Sequence, residues 1–173
     1  MAHTRSIAEH SEAVSALLSG VVGRSEWVPL RETLGRRLAR DVSSPIPLPP
    51  FDNSQMDGYA VRSAELAAAS VGQPVELNIG ETIAAGTTDG VPLAALTAAP
   101  IMTGAAIPPG ADAVVPIEVT DPDHFVTNRP ATVSFSDPVK PGEFIRPRGD
   151  DAPAGGRLLT GGELLHARHL GLL

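Results

Sequence analysis

The sequence predicts a mainly β chain carrying a few short helices. Gly and Pro contribute 17 residues each to a chain of 173, too many turn formers for a helical bundle and suited to short strands joined by bends. Between residues 72 and 146 the apolar runs are brief, often β-branched, and cut by Gly, Pro or Asp, which is the spacing of a compact barrel or sandwich. Hydrophobic residues make up 42% of the chain but include one Trp, one Tyr and four Phe. The core therefore has to be built from Val, Leu, Ile and Ala.

The elements follow in order. Ser6-Ile7-Ala8-Glu9 has the form of a capping box, and Ile7, Val14, Leu17, Leu18 and Val21 continue at helical spacing. Together they predict a helix over 6–22 whose apolar stripe needs a surface to lie against. Residues 26–30 read as extended, 31–35 as a helical turn, 38–42 as a strand and 63–69 as a short alanine-rich helix. Strands are expected in the runs 75–79, 81–84, 101–102, 113–118, 124–126, 132–135 and 143–145, with another at 158–159. A helix over 163–172 closes the sequence, and its end on Gly171-Leu172-Leu173 without a C-cap suggests a natural chain that continues.

Composition narrows the function classes. A net charge of −7 argues against unspecific nucleic-acid binding, which needs a basic footprint, but not against a local site for an anionic ligand. The chain has no cysteine, so disulfides, thiolate nucleophiles and zinc–thiolate sites are excluded. No apolar run approaches the roughly 20 residues of a membrane helix, and no signal-peptide core follows Met1–Arg5. A cytoplasmic location is the default expectation.

The chain is organised around Pro47-Leu48-Pro49-Pro50-Phe51-Asp52-Asn53-Ser54-Gln55-Met56-Asp57-Gly58-Tyr59. The prolines fix φ and hold the approach extended. Asp52, Asn53 and Ser54 favour turns through side-chain bonds to local backbone, and Asp57-Gly58 suggests a second tight turn with Gly58 free to take positive φ. The result is a stiff frame that can present Asp52 and Asp57, although Asp-Gly equally suits a plain hairpin turn.

Two further stretches have the same character. In Ile101-Met102-Thr103-Gly104, followed by Pro108-Pro109-Gly110-Ala111-Asp112, a strand runs into a stiff bend. Such a loop can turn the Thr103 hydroxyl and the next backbone N–H groups outward to a phosphate or oxyanion, or be an ordinary strand connection. In Arg146-Pro147-Arg148-Gly149-Asp150-Asp151, alternating arginines could hold a phosphate while the acids bind a cation, or the segment could be a self-neutralising surface turn. If Asp57, Thr103 and Asp151 converge, they form an oxygen-rich pocket suited to Mg²⁺ with a phosphorylated ligand. Glu163, His166 and His169 share one helical face, but a single Glu-x-x-His copy is a weak metal signal.

These stretches closely resemble the signatures of the molybdopterin molybdenumtransferases, the MoeA family that includes the gephyrin E domain. The matching segments are Phe51-Asp52-Asn53-Ser54-Gln55-Met56-Asp57-Gly58-Tyr59-Ala60, Ile101-Met102-Thr103-Gly104-Ala105 with the Pro-x-Gly-Ala-Asp-Ala-Val-Val pattern ending at Val115, and Arg146 to Asp151. The resemblance implies an N-terminal helix over 1–23, a first β domain made of 24–45 with 146–173, and an inserted β domain over 46–145. It implies Mg²⁺-assisted insertion of molybdate into adenylylated molybdopterin with release of AMP, by a homodimer acting on a small pterin substrate, with no role for nucleic acid or membrane. Asp57, Thr103 and Asp151 take the catalytic positions, Asp57 and Asp151 the Mg²⁺ positions, and Ser54 and Arg148 the supporting ligand contacts. The family's larger pterin-binding domain has no counterpart in this sequence, so the chain alone is expected to be inactive. Pro100 stands where the family usually has a basic residue, which removes a candidate anion contact, and Asp150 stands in place of the more usual Glu. The alternatives are a non-enzymatic β-rich scaffold or dimerisation module and, third, a free-standing metal-dependent phosphoesterase.

Overall fold

The computed structural model describes residues 5–21, 23–86, 90–128 and 131–173. It divides into two compact units, one of residues 1–41 with 159–173 and one of residues 42–158.

In the first unit, helix α1 (Ile7–Leu18) starts at the predicted capping box. Ser6 N–H donates to Glu9 Oε2 at 2.7 Å, and Glu9 N–H donates to Ser6 Oγ at 3.2 Å. The helix ends at Leu18, where the Ser19 hydroxyl turns back to the Ala16 carbonyl at 2.7 Å; Val22, the last residue of the expected helix, lies outside the described residues. No residue of α1 is buried, and Leu17 of its apolar stripe is 81% exposed. A single 3₁₀ turn at Leu30–Glu32 takes the place of the turn expected over 31–35. Residues 35–38 then run alongside 162–165, with Leu165 N–H donating to Arg36 O at 2.8 Å and Leu38 N–H to Glu163 O at 2.9 Å. This pairing corrects the expected closing helix. Residues 163–165 already have extended partners, so α2 covers only Ala167–Leu170.

The second unit holds β1 (Val42–Ser43), β2 (Asn53–Ser54), β3 (Gly58–Val61), β4 (Val75–Ile79), β5 (Thr97–Ile101), β6 (Ala113–Pro116), β7 (Thr120–Asp121), β8 (Thr132–Phe135), β9 (Ile145–Arg146) and β10 (Arg157–Leu159), the last reaching the unit boundary. A six-stranded sheet has the order β6-β3-β5-β4-β8-β7, and two small sheets pair β1 with β10 and β2 with β9. Strands β4 and β5 are parallel; the other pairs in the large sheet are antiparallel.

Runs 75–79 and 132–135 become strands as predicted. The run at 101–102 is the tail of β5, whose Ala-rich start carries little β propensity. Residues 113–118 split after Pro116, where a 3₁₀ turn at Ile117–Val119 begins. Residues 124–126 form no strand, and the pairing falls to β7 instead. The run at 81–84 gives one isolated bridge at Ile83, and the helix expected over 63–69 is a 3₁₀ turn at Ser63–Leu66.

Every residue of β3 is buried, so its side chains fill both faces of the sheet. Tyr59 and Val61 join one apolar cluster with Leu66, Leu77, Val133 and Phe135. Ala60, one position out of phase, joins the other with Ile83, Leu93, Ile101 and Val114, as the two-residue strand period requires. Ile107, Phe144 and Ile145 pack onto the second cluster, which ties two of the sequence-predicted loops to that face. Pro100 sits within β5 and is fully buried. Its carbonyl accepts from Ile83 N–H at 2.7 Å, while its ring leaves no backbone N–H to donate on that side.

Phe135 is 1% exposed and meets Tyr59 edge-on, with ring centroids 6.1 Å apart. Phe135→Ala is expected to lower stability by about 3–5 kcal/mol. Val71→Ala, at a position 83% exposed, should change it by less than about 0.5 kcal/mol; urea unfolding of both variants checks the contrast.

Candidate functional site

The three sequence-predicted loops meet along the two-residue strand β2. On one edge, Ser54 N–H donates to Ala105 O at 3.0 Å, Gly104 N–H to Ser54 O at 2.8 Å, and Ile107 N–H to Asp52 O at 3.0 Å. On the other edge, Asn53 lies opposite Arg146 and Ser54 opposite Ile145 in the pairing with β9. Gln55 N–H donates to Phe144 O at 2.9 Å, and Arg148 N–H to the Asp52 carboxylate at 2.6 Å. The proline stretch completes the frame. Pro49 O accepts from Gly149 N–H at 2.9 Å, and Leu48 O accepts from Asp151 N–H at 2.9 Å. Short, proline-stiffened segments hold these bonds without long strands because little backbone freedom is left to lose.

Asp57 and Thr103, separated by 46 residues, are in direct contact. Asp57 Oδ1 accepts from both the backbone N–H and the hydroxyl of Thr103, each at 2.7 Å. The Thr103 hydroxyl, and then its backbone N–H, hold the Asp57 carboxyl below its ordinary pKa by stabilising the charged form. Both residues are exposed, and Oδ2 of Asp57 has no hydrogen-bond partner among the described residues. One carboxylate oxygen is therefore anchored and the other is unpaired among the described residues.

Gly58 serves this geometry differently from the sequence expectation. It begins β3 in extended backbone instead of turning with positive φ. A Cβ there would lie 2.1 Å from the Val115 carbonyl oxygen, so glycine is required by the close approach of β6. Gly149 does need positive φ, at +77°, and brings Asp150 and Asp151 back towards Arg146.

Several expected roles change. The backbone N–H groups after Thr103 do not form an open anion cradle: Gly104 donates to Ser54 O and Ala105 to Met102 O at 3.0 Å. Ser54, expected beside the ligand, is 1% exposed, and its hydroxyl donates to Met56 O at 2.6 Å. The Arg146 guanidinium donates to Asp151 Oδ1, and its Nε lies 3.7 Å from Asp150 Oδ2. Arg148 is exposed, its backbone fixed by Asp52 and its guanidinium without a hydrogen-bonded partner among the described residues. The side chain at position 100 faces the core, so it offers no anion contact. His169 Nδ1 accepts from His166 N–H at 3.2 Å, a local cap and not a ligand pair.

The same geometry supplies no ready-made cage for Mg²⁺. Among the described residues no group of three His, Cys, Asp or Glu side chains could hold a metal ion, and Asp151 is already engaged by Arg146. Mg²⁺ keeps several waters and binds through one or two carboxylates together with substrate phosphates, so these side chains form no closed cage for it on their own.

Sequence reasoning missed Asp52 as the residue joining the second and third loops, because its partners lie about 55 and 96 residues away and leave no local pattern. It also missed Asp112, which accepts from Ser63 N–H at 2.6 Å and from the Ser63 hydroxyl at 2.7 Å. That bond pair fixes the chain where β3 ends.

The profile of the family described as "MoeA N-terminal region (domain I and II)" matches residues 5–173. The chain belongs to the MoeA family. Molybdopterin molybdenumtransferase 2 of Mycobacterium tuberculosis is 40% identical over 168 residues, covering 97% of this chain and 40% of that protein. The molybdopterin molybdenumtransferase of Bacillus subtilis is 41% identical over 140 residues, covering 81% of this chain and 32% of that protein. The crystal structure of the molybdopterin biosynthesis MoeA protein of Pyrococcus horikoshii OT3 superposes with a TM-score of 0.83 at 32% identity, over 95% of this chain and 42% of that one. This MoeA chain thus spans about two fifths of the length of such relatives.

The depressed Asp57 pKa gives a signed prediction. Stabilisation from the Thr103 bonds is present above the unfolded-state value of about 3.9 and is lost as pH falls through the lower folded value. Carboxyl-detected NMR titration should place Asp57 below the ordinary range. Thr103→Ala should move it upward and Thr103→Ser should not. Separately, Gly58→Ala should cost roughly 1–3 kcal/mol in urea unfolding as β3 and β6 are forced apart.

Proposed function

We propose that this chain supplies one wall of a molybdenum-cofactor biosynthesis site, in a protein that inserts molybdate into adenylylated molybdopterin with release of AMP. The observation that carries the reading is the Asp57–Thr103 pair: an exposed, ionised carboxylate with one oxygen locked by two 2.7 Å bonds. It sits on a family signature and is joined through β2 to an arginine-bearing loop. The printed names of the relatives support the same reading.

On this reading Asp57 presents Oδ2 to the substrate in a fixed direction, which preorganises charge at the reacting end of the ligand. Thr103 keeps Asp57 ionised and oriented, and contacts ligand only as the wall beside it. Arg148 reaches the phosphate region from a backbone anchored by Asp52. Molybdate and the pterin are substrates held jointly with surfaces outside this chain, in a homodimer. The proposed domain division is a helix over 1–23, a first domain of 24–45 with 146–173, and an inserted domain over 46–145.

The test has two arms in a bacterial strain lacking its own molybdenumtransferase. The 173-residue chain alone should restore no molybdoenzyme activity. In the protein carrying the remaining family domains, Asp57→Asn should lower molybdate insertion by about 100-fold, the scale of losing one preorganised polar group. Full activity of the Asp57→Asn protein, or cofactor formation by the chain alone, would overturn the reading.

A further inference from the structure

We infer that Asp151 acts through Arg146, as a positioning residue for a phosphate-bearing ligand, and not as a cation ligand. The inference rests on the reading of this site as one for a phosphorylated substrate.

The pair is built by the fold. Arg146 is held in β9 opposite Asn53. Asp151 is held by its own N–H on Leu48 O at 2.9 Å, and Asp150 N–H closes the turn on Pro147 O at 3.2 Å. Both backbones are thus pinned to the 47–54 segment or its partner strand. Arg146 Nη2 then donates to Asp151 Oδ1. Asp150 lies at 3.7 Å from Nε, an ion-pair distance and not a hydrogen bond.

An ion pair between side chains 41% and 55% exposed adds little stability, because water and salt screen it. Its effect is on direction. Guanidinium is planar and carries five N–H donors in a fixed fork. Fixing one edge on a carboxylate orients the remaining donors as a unit, which suits the bidentate capture of a phosphate oxygen pair. The formal charges of Arg146, Arg148, Asp150 and Asp151 cancel. An anion is therefore recognised here by aimed N–H groups and not drawn in by net charge. A cation would have to pull Asp151 from Arg146, and no third acidic or histidine ligand stands ready among the described residues.

The experiment follows AMP and Mn²⁺ separately on the protein carrying the remaining family domains, with AMP affinity read by isothermal titration calorimetry, AMP contact by the Arg146 Nε–Hε NMR signal, and Mn²⁺ by electron paramagnetic resonance. AMP should shift the Arg146 signal. Asp151→Asn and Arg146→Lys should each weaken AMP binding about fivefold or more, and the double variant should be no weaker than either single one. Asp151→Glu, which keeps the charge, should retain most of the affinity, and Mn²⁺ binding should be the same in all variants. Loss of Mn²⁺ binding in Asp151→Asn with AMP affinity intact would overturn the inference, as would additive losses in the double variant. Should Asp151→Asn fail to fold, unchanged AMP affinity in Arg146→Lys overturns it alone. Absence of any AMP binding by the unsubstituted protein with the remaining family domains would instead sink the underlying reading of the site, and this inference with it.

Discussion

The site depends on a strand of two residues. Asn53 and Ser54 are too few to be stable as a sheet, since an isolated pair of strands is marginal in water. Yet their segment receives the 104–107 loop on one edge and the 144–148 segment on the other. The carboxylate of Asp52 adds a bond to Arg148 N–H. What makes so small an element sufficient is the stiffness of its surroundings. Prolines precede it, β3 follows within four residues, and the apolar side chains Ile107, Phe144 and Ile145 anchor the flanking loops in the core. Rigid connections lower the entropy lost on closing the site, so a handful of hydrogen bonds can hold it.

Within that frame the charged groups are arranged pairwise. Asp57 is satisfied on one oxygen by Thr103, and Asp151 by Arg146. Each pair leaves part of its polar capacity facing outward. The two carboxylates are thus each committed to a different partner, and among the described residues they belong to no group of three or more acidic or histidine side chains placed for a metal ion. A surface that offers one ionised carboxylate oxygen and directed guanidinium donors is suited to hold one end of a polar, phosphorylated molecule.

Much of this was legible in the sequence. Turn-forming composition and short β-branched runs pointed to a mainly β chain, and runs such as 75–79 and 132–135 became strands because Val, Ile, Leu and Phe alternate there against a buried face. The Ser6–Glu9 capping box was readable because it is local. The misses share one cause: tertiary pairing overrides local pattern. Residues 163–165 look helical but pair with 36–38, and Thr97–Ile101 looks weak as a strand but lies between β3 and β4. At the site, residue types identified Asp57, Thr103 and the 146–151 loop, and the family resemblance fixed their order. The partner of each side chain could not be read, because Asp52 and Arg148 are joined across 96 residues.

The most direct measurement is amide hydrogen exchange at Gly104, Ile107, Gln55 and Arg148, the donors that tie the three loops to β2. The account predicts that all four are protected and open together, at a free energy shared by both edges of the strand. Exchange of Ile107 or Arg148 at the rate of a free loop, while the β3 amides stay protected, would contradict it.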